Sequence, residues 1–218
     1  ARHGATVHHE AVDLTVVEHH LALQALTALR DVDTDQRGFR HAMDDLATLL
    51  VYEATRNMRT ESFDATTPLA TTTGTRVPEP PMAVPILRAG LGLLTGTLRL
   101  LPDAPTGFIG VARNEETLEP EPYTNSVPLD LGGRDVLVLD PMLATGGSLT
   151  FACNILRDRN PGRLVCVCVL AAPEGVAALG RSGLADALVV GAIDDHLNDV
   201  AYIVPGLGDA GDRLFGTK

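Results

Sequence analysis

The chain has 218 residues, of which 45% are hydrophobic and 4% aromatic, and its formal net charge is −11. This composition supports one compact domain with an aliphatic core, which we place over residues 1–218. The negative charge argues against nucleic acid or an anionic membrane as the main partner. No stretch reaches the roughly 18 consecutive apolar residues that a membrane span requires, so we expect neither partner.

The cysteines indicate a reducing compartment. Cys153, Cys166 and Cys168 form an odd set, whereas proteins of oxidising compartments usually carry paired cysteines. The N-terminal stretch ARHGATVHHEAV lacks the apolar centre of a signal peptide. We therefore expect a cytoplasmic protein with free, buried thiols. A metal site is the lesser alternative, because it requires about four ligands.

The first part of the chain predicts helices. Apolar residues recur at helical spacing over 17–31 and again over 34–58, where Thr34 is a candidate N-cap. These N-terminal helices occupy about residues 17–58. Residues 60–81 are rich in Thr and Pro and lack helical periodicity. Because Thr favours edge strands, we expect a small irregular β-arm here rather than a domain boundary.

From residue 82 onward, apolar strands alternate with helices. We predict strands at 82–87, 106–112, 135–139, 162–172 and 185–194, and helices near 91–101, 149–159 and 173–182. This alternation predicts an α/β fold with a doubly wound, mostly parallel sheet and helices on both faces. In such sheets the ligand lies beyond the carboxyl ends of the strands. The glycine-rich turns that follow the strands therefore belong to the site.

The turn ATGGS has the features of a phosphate-binding loop. Gly146 and Gly147 leave backbone N–H groups unobstructed at the start of a helix. Thr145 and Ser148 add hydroxyl donors. Asp140 lies just upstream, where a carboxylate repels phosphate unless it accepts hydrogen bonds from ribose hydroxyls. We therefore predict a site for a ribose and its 5′-phosphate.

Two arginines follow other strands. Arg88 precedes the glycine turn in PILRAGLG, and Arg113 follows the second predicted strand. Guanidinium groups at these places suit a second anionic group. The glycines after Arg88 match a dinucleotide fingerprint weakly, so a dinucleotide-binding oxidoreductase is one alternative. Together the two anion sites indicate a small polyphosphorylated sugar as the ligand.

The segment VLDPMLATGGS resembles the loop that binds phosphoribosyl pyrophosphate (PRPP) in type I phosphoribosyltransferases. Its Asp-Pro pair is similar to the uracil phosphoribosyltransferase branch of that family. Further segments resemble the same branch in the same order: LLVYEATRNMRTE, VPILRAGLG, RNEETLEPEPY, LAAPEGVAAL and YIVPGLGDAGDRLFGTK. The similarity runs over about residues 18–218 and departs from the family at DLTVVEHHL and in the Thr/Pro-rich segment.

The resemblance implies a pentosyltransferase with the type I phosphoribosyltransferase fold. Its reaction would convert uracil and PRPP to UMP and pyrophosphate with Mg²⁺. The implied PRPP-binding core covers about residues 82–193, and the implied uracil-binding loop covers about 202–216. No covalent nucleophile is expected, because charge builds on the leaving pyrophosphate and the helpful groups are Mg²⁺ and arginines.

Site residues follow from the resemblance position by position. Those that it assigns to PRPP are Arg88, Arg113, Asp140, Pro141, Met142, Leu143, Ala144, Thr145, Gly146, Gly147, Ser148 and Asp209. Those that it assigns to uracil are Ile203, Gly208, Asp209 and Ala210. The catalytic set is Arg88, Arg113, Asp140 and Asp209. No residue is expected to bind the metal directly, and Asp209 is expected to reach it through water.

The resemblance also bears on regulation and assembly. It raises GTP as an effector and a homodimer or larger homo-oligomer formed through the N-terminal helices. The polar segment RNEETLEPEP is expected to form a flap over the site, although Glu115, Glu116 and Glu119 fit a solvated acidic face equally well. A pyrimidine-operon regulator of the same fold is the alternative function. No cluster of lysine and arginine predicts the RNA-binding face that it would need.

One further group contains metal-ligating residue types. Asp194, Asp195, His196 and Asp199 lie close together before the C-terminal loop. Carboxylates next to a loop are more often solvated than bound to metal. We therefore expect this acidic group to be a solvated surface.

Overall fold

The computed structural model describes residues 6–9, 12–113 and 120–217, and it leaves out the side chains of residues 6–9, 112–113 and 120–121. Glu115, Glu116 and Glu119 of the expected flap lie outside the described residues. The strands are β1 (Thr6–His9), β2 (Val12–Val16), β3 (Glu61–Thr66), β4 (Thr71–Arg76), β5 (Met82–Leu87), β6 (Ile109–Arg113), β7 (Pro120–Asn125), β8 (Val136–Leu139), β9 (Met142–Leu143), β10 (Leu164–Ala171), β11 (Ala187–Ile193), β12 (His196–Leu197) and β13 (Ile203–Val204). The helices are α1 (His20–Arg30), α2 (Gln36–Ala54), α3 (Leu91–Leu100), α4 (Gly147–Arg157), α5 (Pro173–Ser182) and α6 (Ala210–Phe215).

Among the described residues, nine strands form one sheet in the order β1-β2-β11-β10-β8-β5-β6-β7, with β9 beside β10. The strands from β2 to β6 along this order pair in parallel. At the two edges, β1 and β7 are antiparallel to their neighbours. The predicted mostly parallel sheet is therefore confirmed, and all five predicted strands are present.

The two faces of the sheet pack against two separate hydrophobic cores. In β10, Val165, Val167 and Val169 join one core, whereas Cys166 and Cys168 join the other, because successive side chains of a strand point to opposite faces. The first core includes residues of α1, α2 and α3, and the second includes residues of α4 and α5. This burial on both faces explains why the strand sequences are continuously apolar.

The cysteines are free and buried, as predicted. The Sγ atoms of Cys153 and Cys166 lie 3.6 Å apart in the core between the sheet and α4. The contact with Cys153, together with burial, raises the pKa of Cys166, and burial raises the pKa of Cys168. A thiol with a raised pKa is a poor nucleophile and metal ligand. These cysteines therefore act as core residues.

The N-terminal helices are shorter than predicted. α1 begins at His20, because the preceding residues continue from β2, and α2 ends at Ala54. The N-cap of α2 is Asp35 and not the predicted Thr34; its Oδ1 accepts a hydrogen bond of 2.7 Å from the N–H of Gly38. A carboxylate at this place also interacts favourably with the positive end of the helix. No helix in the described ranges has the length and apolar character needed to cross a membrane.

The Thr/Pro-rich segment forms the expected β-arm. β3 and β4 make a two-stranded antiparallel hairpin outside the main sheet. The arm is regular rather than irregular, since its two strands pair through six consecutive positions. The Arg76 guanidinium lies 5.7 Å from the centre of the Phe63 ring, and such cross-strand contacts stabilise a hairpin that has little buried surface.

Seven of the described elements were not predicted: the two-residue strands β9, β12 and β13, and also β1, β2, β7 and α6. β2 adds a further parallel strand beside β11, and β1 folds back against β2 at the edge of the sheet. β7 carries two prolines in PEPYTN, which are tolerated because it is an edge strand. α6 has only six residues. Each element is too short, or too rich in breaking residues, for its periodicity to stand out.

We predict that Gly96→Leu destabilises the fold. Gly96 lies in α3 where this helix crosses α2, and an added Cβ would lie 2.7 Å from both the Ala47 Cβ and the Asp44 carbonyl oxygen. A larger side chain must push the two helices apart, which costs about 1–3 kcal/mol. The free energy of unfolding, measured by urea denaturation, should fall by that amount.

Gly180→Ala in α5 is the matched control. There an added Cβ would meet only the Val12 Cγ1, at 3.8 Å. Alanine should leave the free energy of unfolding unchanged or raise it by up to about 1 kcal/mol, because it favours helix more than glycine does. Equal losses in both variants would contradict the close crossing of α2 and α3.

Candidate active site

Turns that follow parallel strands meet at one edge of the sheet. The turn after β8 and the C-terminal loop enclose a pocket of about 330 Å³. Its lining residues are Ala89, Asp140, Met142, Ala144, Thr145, Val200, Ala201, Tyr202, Ile203, Gly208, Asp209, Ala210 and Gly211. The pocket lies beyond the carboxyl ends of the strands, where α/β sheets usually bind ligands.

The turn ATGGS leads directly into α4, whose N-cap is Gly146 in a left-handed conformation with φ of 85°. No side chain of the described residues caps this helix. The N–H groups of Gly147, Ser148 and Leu149 have no acceptor among the described residues, and the Thr145 side chain is exposed beside them. We call residues 145–149 the anion cradle, because unpaired N–H groups at the positive end of a helix attract anions.

The start of α5 supports the turn that leads into the anion cradle. A Cβ added to Gly175 would lie 2.4 Å from the carbonyl oxygen of Ala144 and 2.6 Å from that of Leu143. Glycine is therefore required for this close approach of two backbone segments. The N–H of Ala172 also donates a hydrogen bond of 2.9 Å to the Leu143 carbonyl. These contacts fix the backbone just before the cradle.

Asp140 follows β8 directly, and its half-buried side chain lines the pocket. Burial raises the pKa of its carboxyl group to about 7. A hydrogen bond from the N–H of Met142, 3.4 Å from Oδ1, lowers the pKa by a smaller amount. No ion pair to a described cation satisfies this carboxyl group. It therefore remains available to accept hydrogen bonds from hydroxyl groups of a ligand.

The C-terminal loop forms the other side of the pocket. Ile203 is buried in β13, and Ala210 begins α6. Asp209 is the N-cap of α6, because its Oδ1 accepts a hydrogen bond of 2.8 Å from the N–H of Asp212. Gly208 has a φ of 79°. Its lack of a side chain leaves the loop backbone open where the loop lines the pocket.

The two predicted arginines lie at the carboxyl ends of the neighbouring strands β5 and β6. Arg88 is exposed directly after β5, next to the pocket residue Ala89. Its guanidinium makes no ion pair or hydrogen bond with a described residue, so it is free for an anionic ligand. Arg113 ends β6, but its side chain lies outside the described part of the chain.

The pocket brings together most of the predicted site residues. It joins Asp140, Met142, Ala144 and Thr145 to Ile203, Gly208, Asp209 and Ala210. Gly146 and Gly147 line a separate open cavity on the other side of the turn, and Pro141 and Leu143 are buried. Sequence reasoning missed the lining residues Ala89, Val200 and Ala201, and it included Tyr202 and Gly211 only within the implied uracil-binding loop 202–216. Their proximity to the motifs RAG and GLGDAG was the one signal that could have identified them.

The acidic group near His196 needs a correction. Asp195, His196 and Asp199 are exposed, but Asp194 is buried and forms an ion pair with Arg30. Within the described ranges, no group of three or more His, Cys, Asp or Glu is placed to hold a metal ion. The expectation of solvated carboxylates is therefore wrong for Asp194, because an arginine charge compensates its burial.

A larger cavity of about 480 Å³ lies between α1, α2 and α3. Helix side chains such as Leu21, His41 and Arg99 line it, and none of the predicted site residues does. The smaller pocket combines an uncompensated carboxyl group, open loop backbone and the adjacent anion cradle. Its chemistry, rather than its size, identifies it as the candidate active site.

Comparisons with known proteins cover most of the chain. A family model described as uracil phosphoribosyltransferase matches residues 16–217. A protein of Corynebacterium diphtheriae named uracil phosphoribosyltransferase is 52% identical over 207 residues, which cover 95% of this chain and 98% of that protein. A protein of Streptomyces griseus with the same name is 53% identical over 93% of this chain and 97% of that protein.

A solved structure supports the fold over most of the chain. The structure of the AQ2163 protein from Aquifex aeolicus has a TM-score of 0.88 and 38% sequence identity. The match covers 94% of this chain and 99% of that one. The sheet order and both helix layers described above therefore belong to an architecture that is already known by experiment.

We predict that Asp140→Asn raises the stability of the unliganded protein at high pH. An unfolded aspartate has a pKa near 3.9, whereas burial raises the pKa of Asp140 to about 7. The folded state therefore keeps a proton that the unfolded state releases, so parent stability falls as pH rises from about 4 to about 7. Asparagine avoids this loss. Because the carboxyl group is only half-buried, we expect a gain of roughly 1–2 kcal/mol at pH 8.

Urea denaturation at pH 4 and pH 8 measures this effect, and Asp130→Asn is the control. Hydrogen bonds from the N–H of Gly132 and from the side chain of Asn160 lower the pKa of Asp130. Its carboxylate therefore contributes stability at high pH that is lost as pH falls, so its replacement should destabilise at pH 8. If Asp140→Asn lost stability at pH 8 as well, the burial of an uncompensated carboxyl group would be contradicted.

Proposed function

The chain belongs to the uracil phosphoribosyltransferase family, and from this premise we propose how its pocket transfers a phosphoribosyl group from PRPP to N1 of uracil. The products of this pentosyl transfer are UMP and pyrophosphate. The observation that carries the proposal is one pocket in which Asp140 and Thr145 meet Ile203 and Asp209. A site for ribose and phosphate and a site for a flat base are thereby adjacent.

PRPP is proposed to bind along the turn after β8. Its 5′-phosphate accepts hydrogen bonds from the unpaired N–H groups of the anion cradle. Its ribose hydroxyls donate to the carboxyl group of Asp140, which has no cationic partner among the described residues. Its pyrophosphate lies toward Arg88, whose exposed guanidinium has no partner among the described residues, and toward Arg113, which ends the adjacent strand. The remaining PRPP contacts, from Pro141 to Ala144 and at Ser148, come from the same turn.

Uracil is proposed to bind against the backbone of Ile203 and of residues 208–210. The N3 atom of uracil donates a hydrogen bond, whereas N3 of cytosine accepts one. A loop carbonyl that faces N3–H would lose its partner if cytosine were bound, and a buried unpaired acceptor costs about 1–3 kcal/mol. Glycine at position 208 lets the backbone approach the ring closely. Discrimination between the bases therefore comes from main-chain atoms.

Charge determines how the transfer proceeds. The bond from C1 to pyrophosphate breaks as the bond from C1 to uracil N1 forms, so negative charge develops on pyrophosphate and positive charge on the ribose. Arg88 and Arg113 offset the negative charge on pyrophosphate. Asp140 holds the ribose in place through the ribose hydroxyls. No covalent intermediate with a protein nucleophile is needed. The expected flap would exclude water from this charged transition state.

The donor set fits a magnesium ion that PRPP carries. Among the described residues the pocket offers two carboxyl groups, Asp140 and Asp209, which is too few for a site made by protein alone. Asp209 uses Oδ1 to cap α6 and keeps its other oxygen for a metal-bound water. A bound magnesium ion would neutralise charge on the leaving pyrophosphate.

Three wider properties are proposed with the function. The free thiols support a reducing, cytoplasmic setting. The exposed side chains of Leu21 and Leu23 on α1 support a homodimer or larger homo-oligomer formed through the N-terminal helices. GTP as an effector is supported by the family resemblance alone.

The direct test is UMP formation from PRPP and Mg²⁺ with uracil, cytosine, hypoxanthine and orotate as parallel acceptors. We expect turnover with uracil and at least about 10-fold lower kcat/KM with cytosine, since one buried unpaired acceptor costs about 1–3 kcal/mol. Turnover with another base at the uracil rate would contradict the assigned acceptor. PRPP binding without turnover on any base would favour the regulator alternative.

We predict that Gly147→Val impairs PRPP use without unfolding the protein. An added Cβ at Gly147 meets only the Thr145 Oγ1, at 3.8 Å, so the fold has room for a side chain. That side chain would occupy the space in front of the unpaired N–H groups. The KM for PRPP should rise by about 10-fold or more, since hydrogen bonds to a charged group are worth about 1.5–3 kcal/mol.

Gly180→Ala, whose added Cβ also has open space, is the control for the loss of a glycine and should keep the parent KM. Steady-state kinetics and thermal melts of both variants separate binding from stability. An unchanged KM for PRPP in folded Gly147→Val would rule out the anion cradle as the phosphate site.

A further inference from the structure

We infer that Arg30 and Asp194 are positioning residues that set the shape of the uracil-binding loop without touching the substrate. This inference rests on the proposed function for its kinetic consequences. Neither residue lines the pocket. Both hold Gly206, which lies between the uracil-contacting positions Ile203 and Gly208.

The contacts form a closed set around Gly206. Both terminal nitrogens of the Arg30 guanidinium donate to the two carboxylate oxygens of Asp194. Arg30 Nη1 also donates a hydrogen bond of 2.8 Å to the Gly206 carbonyl. The N–H of Gly206 donates a hydrogen bond of 2.8 Å to Asp194 Oδ2. Both backbone polar groups of Gly206 are therefore held by one bidentate ion pair.

The ion pair between Arg30 and Asp194 is largely buried, so each charge depends on the other. The Asp194 side chain is 4% exposed and that of Arg30 is 27% exposed. Burial alone would raise the pKa of Asp194, but hydrogen bonds from Arg30 and Gly206 and the charge of Arg30 lower it overall. Asp194 is therefore a carboxylate, and its charge depends on the guanidinium. Removal of Arg30 leaves that carboxylate unpaired, so the carboxylate and its bond to Gly206 must rearrange.

The loop transmits a change at Gly206 to its neighbours. Gly206 has a φ of 64°, and a Cβ placed there would lie 2.1 Å from the Ile203 carbonyl oxygen. The turn from Ile203 to Gly206 is therefore too tight to absorb a displacement locally. Gly208, two residues further on, lines the pocket. Since uracil recognition is proposed to use main-chain atoms, a displacement of about 1 Å changes it directly.

The same strand provides a matched control at its other end. Asp186 precedes β11, and Asp194 follows it. Arg157 donates to Asp186 Oδ2 at 2.7 Å and to the Leu184 carbonyl at 2.7 Å, and the N–H of Leu164 donates to the same Oδ2 at 2.7 Å. Like the contacts around Gly206, these contacts join a carboxylate and a guanidinium to one backbone carbonyl and one backbone N–H. It lies at the amino end of the strand, away from the pocket.

The test compares Arg30→Gln, Arg30→Lys and Arg157→Gln with the parent chain. For Arg30→Gln we expect the KM for uracil to rise about 10-fold at saturating PRPP, while the KM for PRPP stays within about twofold. Lysine keeps the charge but not the fork that reaches Asp194 and Gly206 together, so Arg30→Lys should show an intermediate rise. Arg157→Gln should lower the melting temperature and leave both KM values unchanged.

Hydrogen–deuterium exchange gives a second readout that needs no turnover. Arg30→Gln should speed exchange in the segment 203–209 more than elsewhere, and Arg157→Gln should not. If Arg30→Gln does not fold, Asp194→Asn replaces it, because asparagine can still accept from Gly206 but loses the ion pair. The same two readouts are then expected of Asp194→Asn.

The outcomes separate the inference from the proposed function. A parent chain without uracil turnover would refute the proposed function, and selective exchange in 203–209 would still support the positioning role. Equal effects of Arg30→Gln and Arg157→Gln on both KM values and on exchange in 203–209 would overturn the inference. A rise in the KM for PRPP as large as that for uracil would overturn it too.

Discussion

Parallel pairing of β5, β8, β10 and β11 places the carboxyl ends of these strands at one edge of the sheet. That constraint puts the Arg88 turn, Asp140 and the approach to the C-terminal loop next to one another, although they are far apart in sequence. Two hydrophobic cores maintain it, because each face of the sheet is covered by its own helices. The site therefore depends on the burial of both faces rather than on any single contact.

The local electrostatics of the site differ from those of the whole chain. A protein with a net charge of −11 is proposed to bind a polyanionic sugar because the cradle offers backbone N–H groups and helix ends, which carry no formal charge. Asp140 is half-buried without a cationic partner among the described residues, and its raised pKa shows that ionisation of this carboxyl group destabilises the unliganded fold. Ligand hydroxyls would replace the missing partners, so the same feature that destabilises the empty site favours the filled one.

The sheet and the anion cradle could be predicted from the sequence because both have local signals. The continuous apolar run of β10 and the residues of ATGGS can be read within a single window. The role of Arg30 has no such signal, because its partner Asp194 lies 164 residues further along the chain. In isolation Arg30 resembles any cation in the last turn of a helix. β2 was missed for a similar reason, since its pairing with β11 joins distant segments.

A crystal structure of the protein with UMP bound tests the central claim most directly, because this product spans both halves of the proposed site. The account predicts the UMP phosphate within hydrogen-bond distance of the N–H groups of Gly147, Ser148 and Leu149. It also predicts the ribose hydroxyls at Asp140 and the ring against Ile203 and residues 208–210. UMP bound between α1, α2 and α3, or with its phosphate away from the anion cradle, would contradict the account.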